Sequence, residues 1–73
     1  MSTEDIVEIY KRVLETDEIS ADSDFFLLGG DSLLGTRILS AVARTQGVEL
    51  TFEDLLAAPT PGALAKKIAD VAR

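Results

Sequence analysis

The 73-residue chain has no cysteine, no histidine and no tryptophan, and only two prolines. It can therefore form no disulfide, no zinc site with thiolate or imidazole ligands, and no Cys-His pair or Ser-His-Asp triad of its own. It also lacks an apolar run long enough to span a membrane, and its start lacks the basic and apolar regions of a signal peptide. These absences predict a cytoplasmic protein without a metal that folds by packing alone.

Basic side chains are few, with 7 against 13 acidic ones and a net charge of −6. A chain of this charge repels DNA and RNA, so we expect no nucleic-acid partner. Residues 1–31 contain nine acids and two bases, whereas residues 32–73 contain four acids and five bases. The acidic half is interpreted either as a solvated face or as a field that attracts a basic partner.

Apolar residues make up 47% of the chain, which is typical of a folded domain, and the length allows one domain, residues 1–73. The apolar spacing predicts helices over about 3–15, 32–45, 52–57 and 61–72, and no strand. We expect an all-α fold, a small four-helix bundle of three longer helices and one short one, and a monomer. A long loop, residues 16–31, lies between helices 1 and 2.

Local signals mark the predicted helix ends. Ser2 is a candidate cap for helix 1, Gly47 for the end of helix 2, and Thr51 with an acid three residues later opens the short helix. Thr60-Pro61 opens the last helix, with proline at its first position.

Helical periodicity also predicts which side chains are buried. In helix 1 the buried face comprises Ile6, Val7, Ile9, Tyr10, Val13 and Leu14. In helix 2 it comprises Leu34, Ile38, Ala41, Val42 and Thr45, and in the last helix Leu64, Ala65, Ile68, Val71 and Ala72. Phe25 and Phe26 are expected to anchor the long loop in the core. Leu33 is the exception, because it lies on the polar face of helix 2 with Thr36 and Arg37.

The most informative local pattern is Gly29-Gly30-Asp31-Ser32, which delivers a serine to the start of helix 2. One interpretation is structural, with Asp31 or Ser32 capping the helix after a glycine turn. The other is chemical, but no histidine can deprotonate Ser32, and Leu34 stands where a nucleophile elbow needs glycine. If Ser32 reacts, a separate enzyme must activate it. We expect Asp31 to help that enzyme hold a cation or a basic group.

The string D-F-F-L-L-G-G-D-S-L-L at residues 24–34 resembles the 4′-phosphopantetheine attachment site of thiolation domains, the peptidyl and aryl carrier proteins of nonribosomal peptide synthesis. D-L-L-A-A-P-T at residues 54–60 resembles the short helix and the Pro-Thr start of the last helix in that family. The resemblance covers the whole chain. Leu27, where an acid or polar residue is frequent, and Gly35, where alanine is common, depart from the family pattern.

The resemblance implies a non-catalytic carrier of secondary-metabolite biosynthesis. Ser32 would receive phosphopantetheine from coenzyme A through a phosphopantetheinyl transferase, with Asp31 and Gly30 beside it in the cofactor site. The thiol of the arm would carry aminoacyl, aryl or peptidyl groups as thioesters between an adenylation or other loading enzyme and condensation, tailoring or thioesterase enzymes. The expected partner surface is Leu28, Leu33, Thr36 and Arg37.

Other interpretations stay open from the sequence. An acyl carrier protein of polyketide or fatty-acid synthesis would share the attachment site, although residues 33–46 contain no acid and two arginines, which favours the peptidyl type. An unmodified acidic helical adaptor would explain the helices and the charge. The start at methionine suits a free-standing carrier, and an excised domain with an added start codon would look the same.

Overall fold

The computed structural model describes residues 3–71, which form four α-helices. They are α1 (Thr3–Leu14), α2 (Ser32–Gln46), α3 (Phe52–Ala57) and α4 (Pro61–Val71). Helix α1 packs against both α2 and α4, and the short α3 joins α2 to α4. The predicted all-α bundle with a long first loop is confirmed. None of the helices in the described range has the length and apolar character needed to cross a membrane.

The predicted signals set most of the helix ends. Gly47 ends α2 in the left-handed region, with φ of 69°, and its N–H donates to the carbonyl of Ala43 at 3.1 Å. Thr51 and Asp54 form a reciprocal capping box at α3. The N–H of Thr51 donates to Asp54 Oδ2 at 2.9 Å and holds the pKa of that carboxyl below its usual range. The predicted cap at Ser2 lies outside the described residues.

The core is entirely apolar apart from one phenol. Its side chains with no exposed surface are Ile6, Tyr10, Phe25, Ile38, Val42, Leu55, Leu64 and Ile68. The predicted faces of α1 and α2 point inward as expected, although Thr45 at the end of α2 is exposed. The prediction for Val71 is wrong: it is 51% exposed, because it lies one turn beyond Ile68, the last buried residue of α4. Ala72 lies outside the described residues.

The carbonyl oxygen of Pro59 joins three separate segments of the chain. It accepts hydrogen bonds from the Tyr10 hydroxyl at 2.7 Å and from the Phe25 N–H at 3.0 Å. A second bond, from the N–H of Gly62 to the carbonyl of Ala21 at 3.0 Å, ties the same loop to the start of α4. The long loop is thus fixed between α1 and the turn before α4.

Aromatic contacts continue this connection across the molecule. The ring centroids of Tyr10 and Phe25 lie 6.0 Å apart, those of Phe25 and Phe26 5.0 Å, and those of Phe26 and Phe52 6.2 Å, all edge to face. Each such pair adds about 0.5–1.5 kcal/mol beyond the area it buries. The sequence prediction that Phe25 and Phe26 anchor the loop is confirmed, with Phe25 fully buried and Phe26 partly so.

We expect alkaline pH to unfold the domain through Tyr10, the only tyrosine. Burial, and secondarily the charge of Asp24, raises the pKa of the Tyr10 phenol above its ordinary value. The contribution of Tyr10 to the free energy of unfolding is therefore complete below about pH 10 and is lost as the pH rises toward the folded pKa. Phenolate absorbance and helical circular dichroism should change together in a pH titration.

The Tyr10→Phe variant is the control. It should be less stable at neutral pH by about 1 kcal/mol, the worth of one hydrogen bond, and should lose the phenol-linked destabilisation above pH 10. A reversible phenolate transition near pH 10 with unchanged helicity would contradict the buried Tyr10–Pro59 hydrogen bond.

Candidate functional site

One isolated helical turn, residues 24–28, leads to the candidate site. The carboxylate of Asp24 accepts the N–H groups of Phe26 at 2.8 Å and Leu27 at 3.2 Å, and the N–H of Leu28 donates to the Asp24 carbonyl at 3.1 Å. Asp24 therefore acts as the N-cap of this turn.

The two glycines that follow end this turn and redirect the chain. The N–H of Gly30 donates to the Phe25 carbonyl at 3.0 Å and that of Gly29 to the Phe26 carbonyl at 3.2 Å, which is the pattern of a Schellman motif. Gly29 has φ of 91°, a conformation that favours glycine. A Cβ on Gly30 would overlap the Phe25 ring. Gly29 is therefore required by its backbone conformation, and Gly30 by the space that Phe25 fills. Together they bring the chain to Asp31.

Asp31 is the N-cap of α2 and leaves the hydroxyl of Ser32 unused by the fold. Asp31 Oδ1 accepts the N–H of Leu34 at 2.9 Å, so the structural interpretation of this residue is confirmed. Ser32 is the first residue of the helix and is exposed. Across residues 3–71 no group hydrogen-bonds to Ser32 Oγ, and the N–H groups of Ser32 and Leu33 have no protein acceptor.

No described side chain is placed to activate Ser32. Lys67, one of the two lysines that tertiary packing could have brought near, pairs instead with Asp54 at 3.5 Å. Within residues 3–71 there is also no group of three or more carboxylates that could hold a metal ion. An exposed hydroxyl beside two free N–H groups can accept a group that another enzyme transfers, and the N–H groups can face an anion.

The predicted partner residues are all on the surface. Leu33 is 63% exposed and Leu28 39%, while Thr36 and Arg37 are exposed as well. The structure brings Leu33, Thr36 and Arg37 together along a groove between α1 and α2, and Leu28 is not part of its lining.

Two further leucines, outside the predicted partner residues, are also exposed. Leu27, in the turn before the glycines, is 87% exposed, and Leu56 in α3 is 53% exposed. The exposure of Leu56 could have been predicted from the sequence. Successive helical residues point about 100° apart, and Leu55 faces the core, so Leu56 points away from it.

Comparison with known proteins places this geometry in a family. Residues 4–68 match the family model described as "Phosphopantetheine attachment site". Surfactin synthase subunit 1 of Bacillus subtilis is 39% identical over 64 residues, which are 88% of this chain and 2% of that protein. The curated relatives it matches are much longer proteins, of which the chain spans between 1% and 6% of the length.

Two solved structures share both the fold and a third of the sequence. One is a peptidyl carrier protein in complex with the phosphopantetheine transferase Sfp and coenzyme A, with a TM-score of 0.90, 34% identity, and coverage of 96% of this chain and 91% of that chain. The other is an active-site mutant of a peptidyl carrier protein, with a TM-score of 0.91, 34% identity, and coverage of 97% and 79%.

The role of Asp31 can be tested with two substitutions. Asparagine caps helices about as well as aspartate, so we expect Asp31→Asn to keep most of the stability. Asp31→Ala leaves the N–H of Leu34 without its acceptor and should cost about 1 kcal/mol, a fall in Tm of roughly 4–8 °C. Thermal unfolding followed by circular dichroism measures both. Equal stability of the alanine variant and the parent chain would rule out the cap.

Proposed function

The chain is a carrier domain of the phosphopantetheine attachment-site family, of the peptidyl carrier type, and we propose that Ser32 is the residue that bears the phosphopantetheine. The observation that carries the proposal is the exposed hydroxyl of Ser32 at the start of α2, which no described group hydrogen-bonds or activates. Gly30 and Asp31 complete the proposed attachment site, because they bring the chain to Ser32 and cap its helix.

The residues present fit a phosphodiester at this position. The free N–H groups of Ser32 and Leu33 and the positive end of the α2 dipole favour an anion, and Ser32 Oγ opens to solvent. Asp31 opposes that anion by like charge, but its capping bond to the N–H of Leu34 keeps it in place. We propose that this carboxylate also helps the transferase hold a cation or a basic group, so that Asp31→Asn slows modification without unfolding the domain.

The reaction at Ser32 needs an enzyme from outside the chain. Ser32 Oγ forms a bond to the phosphopantetheinyl phosphorus of coenzyme A, the bond from that phosphorus to adenosine 3′,5′-bisphosphate breaks, and the hydroxyl proton passes to a base of the transferase. Once attached, the group supplies a thiol that holds an acyl group as a thioester. The domain itself positions Ser32 and catalyses no step.

We propose that the domain, residues 1–73, works in nonribosomal peptide synthesis as a monomer and exchanges aminoacyl, aryl or peptidyl groups with loading, condensation, tailoring or thioesterase enzymes. The similarity to surfactin synthase and to a peptidyl carrier protein seen with Sfp supports this. Residues 33–46 carry Arg37 and Arg44 and no acid. This positive charge would repel the basic partner enzymes of a fatty-acid carrier.

The proposed partner surface lies beside Ser32 along the chain and includes two exposed leucines. It comprises Leu28, Leu33, Thr36 and Arg37, and Leu27, which is 87% exposed, lies next to Leu28 along the chain. A small apolar surface with one arginine suits brief contacts with several enzymes, because each contact buries little area.

The first prediction of this proposal is a change in mass. Incubation with coenzyme A, magnesium and a transferase that accepts peptidyl carrier proteins should add one phosphopantetheine, and Ser32→Ala should add none. Ser23→Ala is a control, because Ser23 is a serine of the preceding loop that lies outside the site, and this variant should still be modified. An unmodified but helical parent chain would favour the adaptor interpretation, and a modified Ser32→Ala variant would place the attachment elsewhere.

The second prediction concerns Leu33. We expect Leu33→Ala to lower kcat/KM for the transferase roughly 15-fold, because a partner that covers this side chain loses the burial of about two of the three carbon groups removed, each worth about 0.8 kcal/mol. Stability should hardly change, since Leu33 is 63% exposed. Val71→Ala, at a 51% exposed position at the end of α4, is the matched control and should leave both quantities unchanged. A large loss of helicity in Leu33→Ala would show that Leu33 supports the fold instead.

A further inference from the structure

A groove of about 290 Å³ runs between α1 and α2 and begins beside Ser32. Its floor is apolar, with Ile9 and Val13 from α1 and Ala41 from α2, and Leu33 stands at the end nearest Ser32. Its volume is close to the lower limit of small-molecule sites, which suits an acyl group and is small for a segment of protein.

The charges along this groove are all positive. Arg37 and Arg44 lie seven residues apart on one face of α2, and Arg12 faces them from α1. Within residues 3–71 none of these three guanidinium groups forms a salt bridge, although the whole chain has an excess of acids and a net charge of −6. Three unpaired cations around an apolar floor form a site for a ligand that has both an apolar part and a carboxylate.

The groove is within reach of a group attached to Ser32. From Leu33 to Arg44 the helix rises about 16 Å, at 1.5 Å per residue. The phosphopantetheine arm has about as many chain atoms as five residues, so its extended length is roughly 17 Å. A tethered acyl group can therefore lie anywhere along the groove.

We propose that the α1–α2 groove binds the acyl group carried on the arm and favours cargo that ends in a carboxylate, which Arg37 and Arg44 would pair. The inference rests on the proposed attachment at Ser32. Binding there would hold the thioester against the carrier between visits to partner enzymes. A partner enzyme that covers Leu33 would open that end of the groove and release the cargo.

The test uses two acyl groups of equal length. The transferase loads the chain from glutaryl-coenzyme A, whose acyl group ends in a carboxylate, or from pentanoyl-coenzyme A, whose five-carbon group is uncharged. Amide chemical shifts of the ¹⁵N-labelled protein are compared with those of the form carrying the unacylated arm. We expect the amide chemical shifts of Val13, Arg37 and Ala41 to change in the glutaryl form. High salt should reduce these changes, because salt screens exposed charges.

Variants separate the groove from the rest of the surface. Arg44→Gln removes the cation farthest from Ser32 along α2 and should clearly reduce the glutaryl shifts, while the double variant Arg37→Gln/Arg44→Gln should reduce them to the pentanoyl level. The mass should show complete loading in both variants. Lys66→Gln removes an exposed cation of α4 outside the groove and should have no effect.

Three outcomes would overturn the inference. Equal shifts with both acyl groups, or glutaryl shifts that persist in Arg44→Gln, would remove the role of the arginines. If the amide chemical shifts of the groove residues change only when a partner enzyme is added, the groove is a protein-binding surface. In all three the mass still increases on loading, whereas failure of the proposed function would appear earlier, as no mass gain on the parent chain.

Discussion

The carbonyl oxygen of Pro59 is the constraint on which the placement of the site depends. It accepts the Tyr10 hydroxyl and the Phe25 N–H, and so joins α1, the long loop and the turn before α4 at one atom. Phe25, once fixed there, fills the space that a side chain on residue 30 would need. Gly30 in turn leads into the cap of α2. The position of Ser32 is therefore set by a series of contacts that begins in the core, although Ser32 itself is exposed.

At the start of α2 the capping role falls to Asp31, which leaves the hydroxyl of Ser32, the proposed attachment point, free. Asp31 supplies the capping oxygen, so the helix does not need the serine hydroxyl. Had Ser32 been the cap, its Oγ would have been occupied by a backbone N–H, and modification would have cost that bond. With Asp31 as the cap, a bulky group can be added to Ser32 without loss of any hydrogen bond that the fold uses.

The sequence predicts the features that are local and misses those that join distant segments. Capping pairs and helical periodicity lie within a few residues of each other, which is why the ends of α2 and α3 and the exposed Leu33 could be predicted. The Tyr10–Pro59 bond spans 49 residues, and the turn at residues 24–28 is too short to show a period. The sequence indicates Arg37 and Arg44 as neighbours on one helix but not Arg12, because Arg12 faces them only through the packing of α1 on α2.

Gly35 lets α3 pack closely on the side of α2 that faces away from the groove. A helix interior glycine costs about 1 kcal/mol relative to alanine, so the sequence alone presents this residue as a defect. In the structure the Phe52 ring stands 2.7 Å and the Leu55 side chain 3.1 Å from where a Cβ on Gly35 would lie, so α3 packs closely onto the bare backbone. A side chain at residue 35 would have to push Phe52 and Leu55 away. Residue 37 lies about 200° around the helix from residue 35, on the face that α3 does not cover. The proposed arm at the start of α2 therefore has the close packing of α3 at Gly35 on one side and the open, positively charged groove on the other.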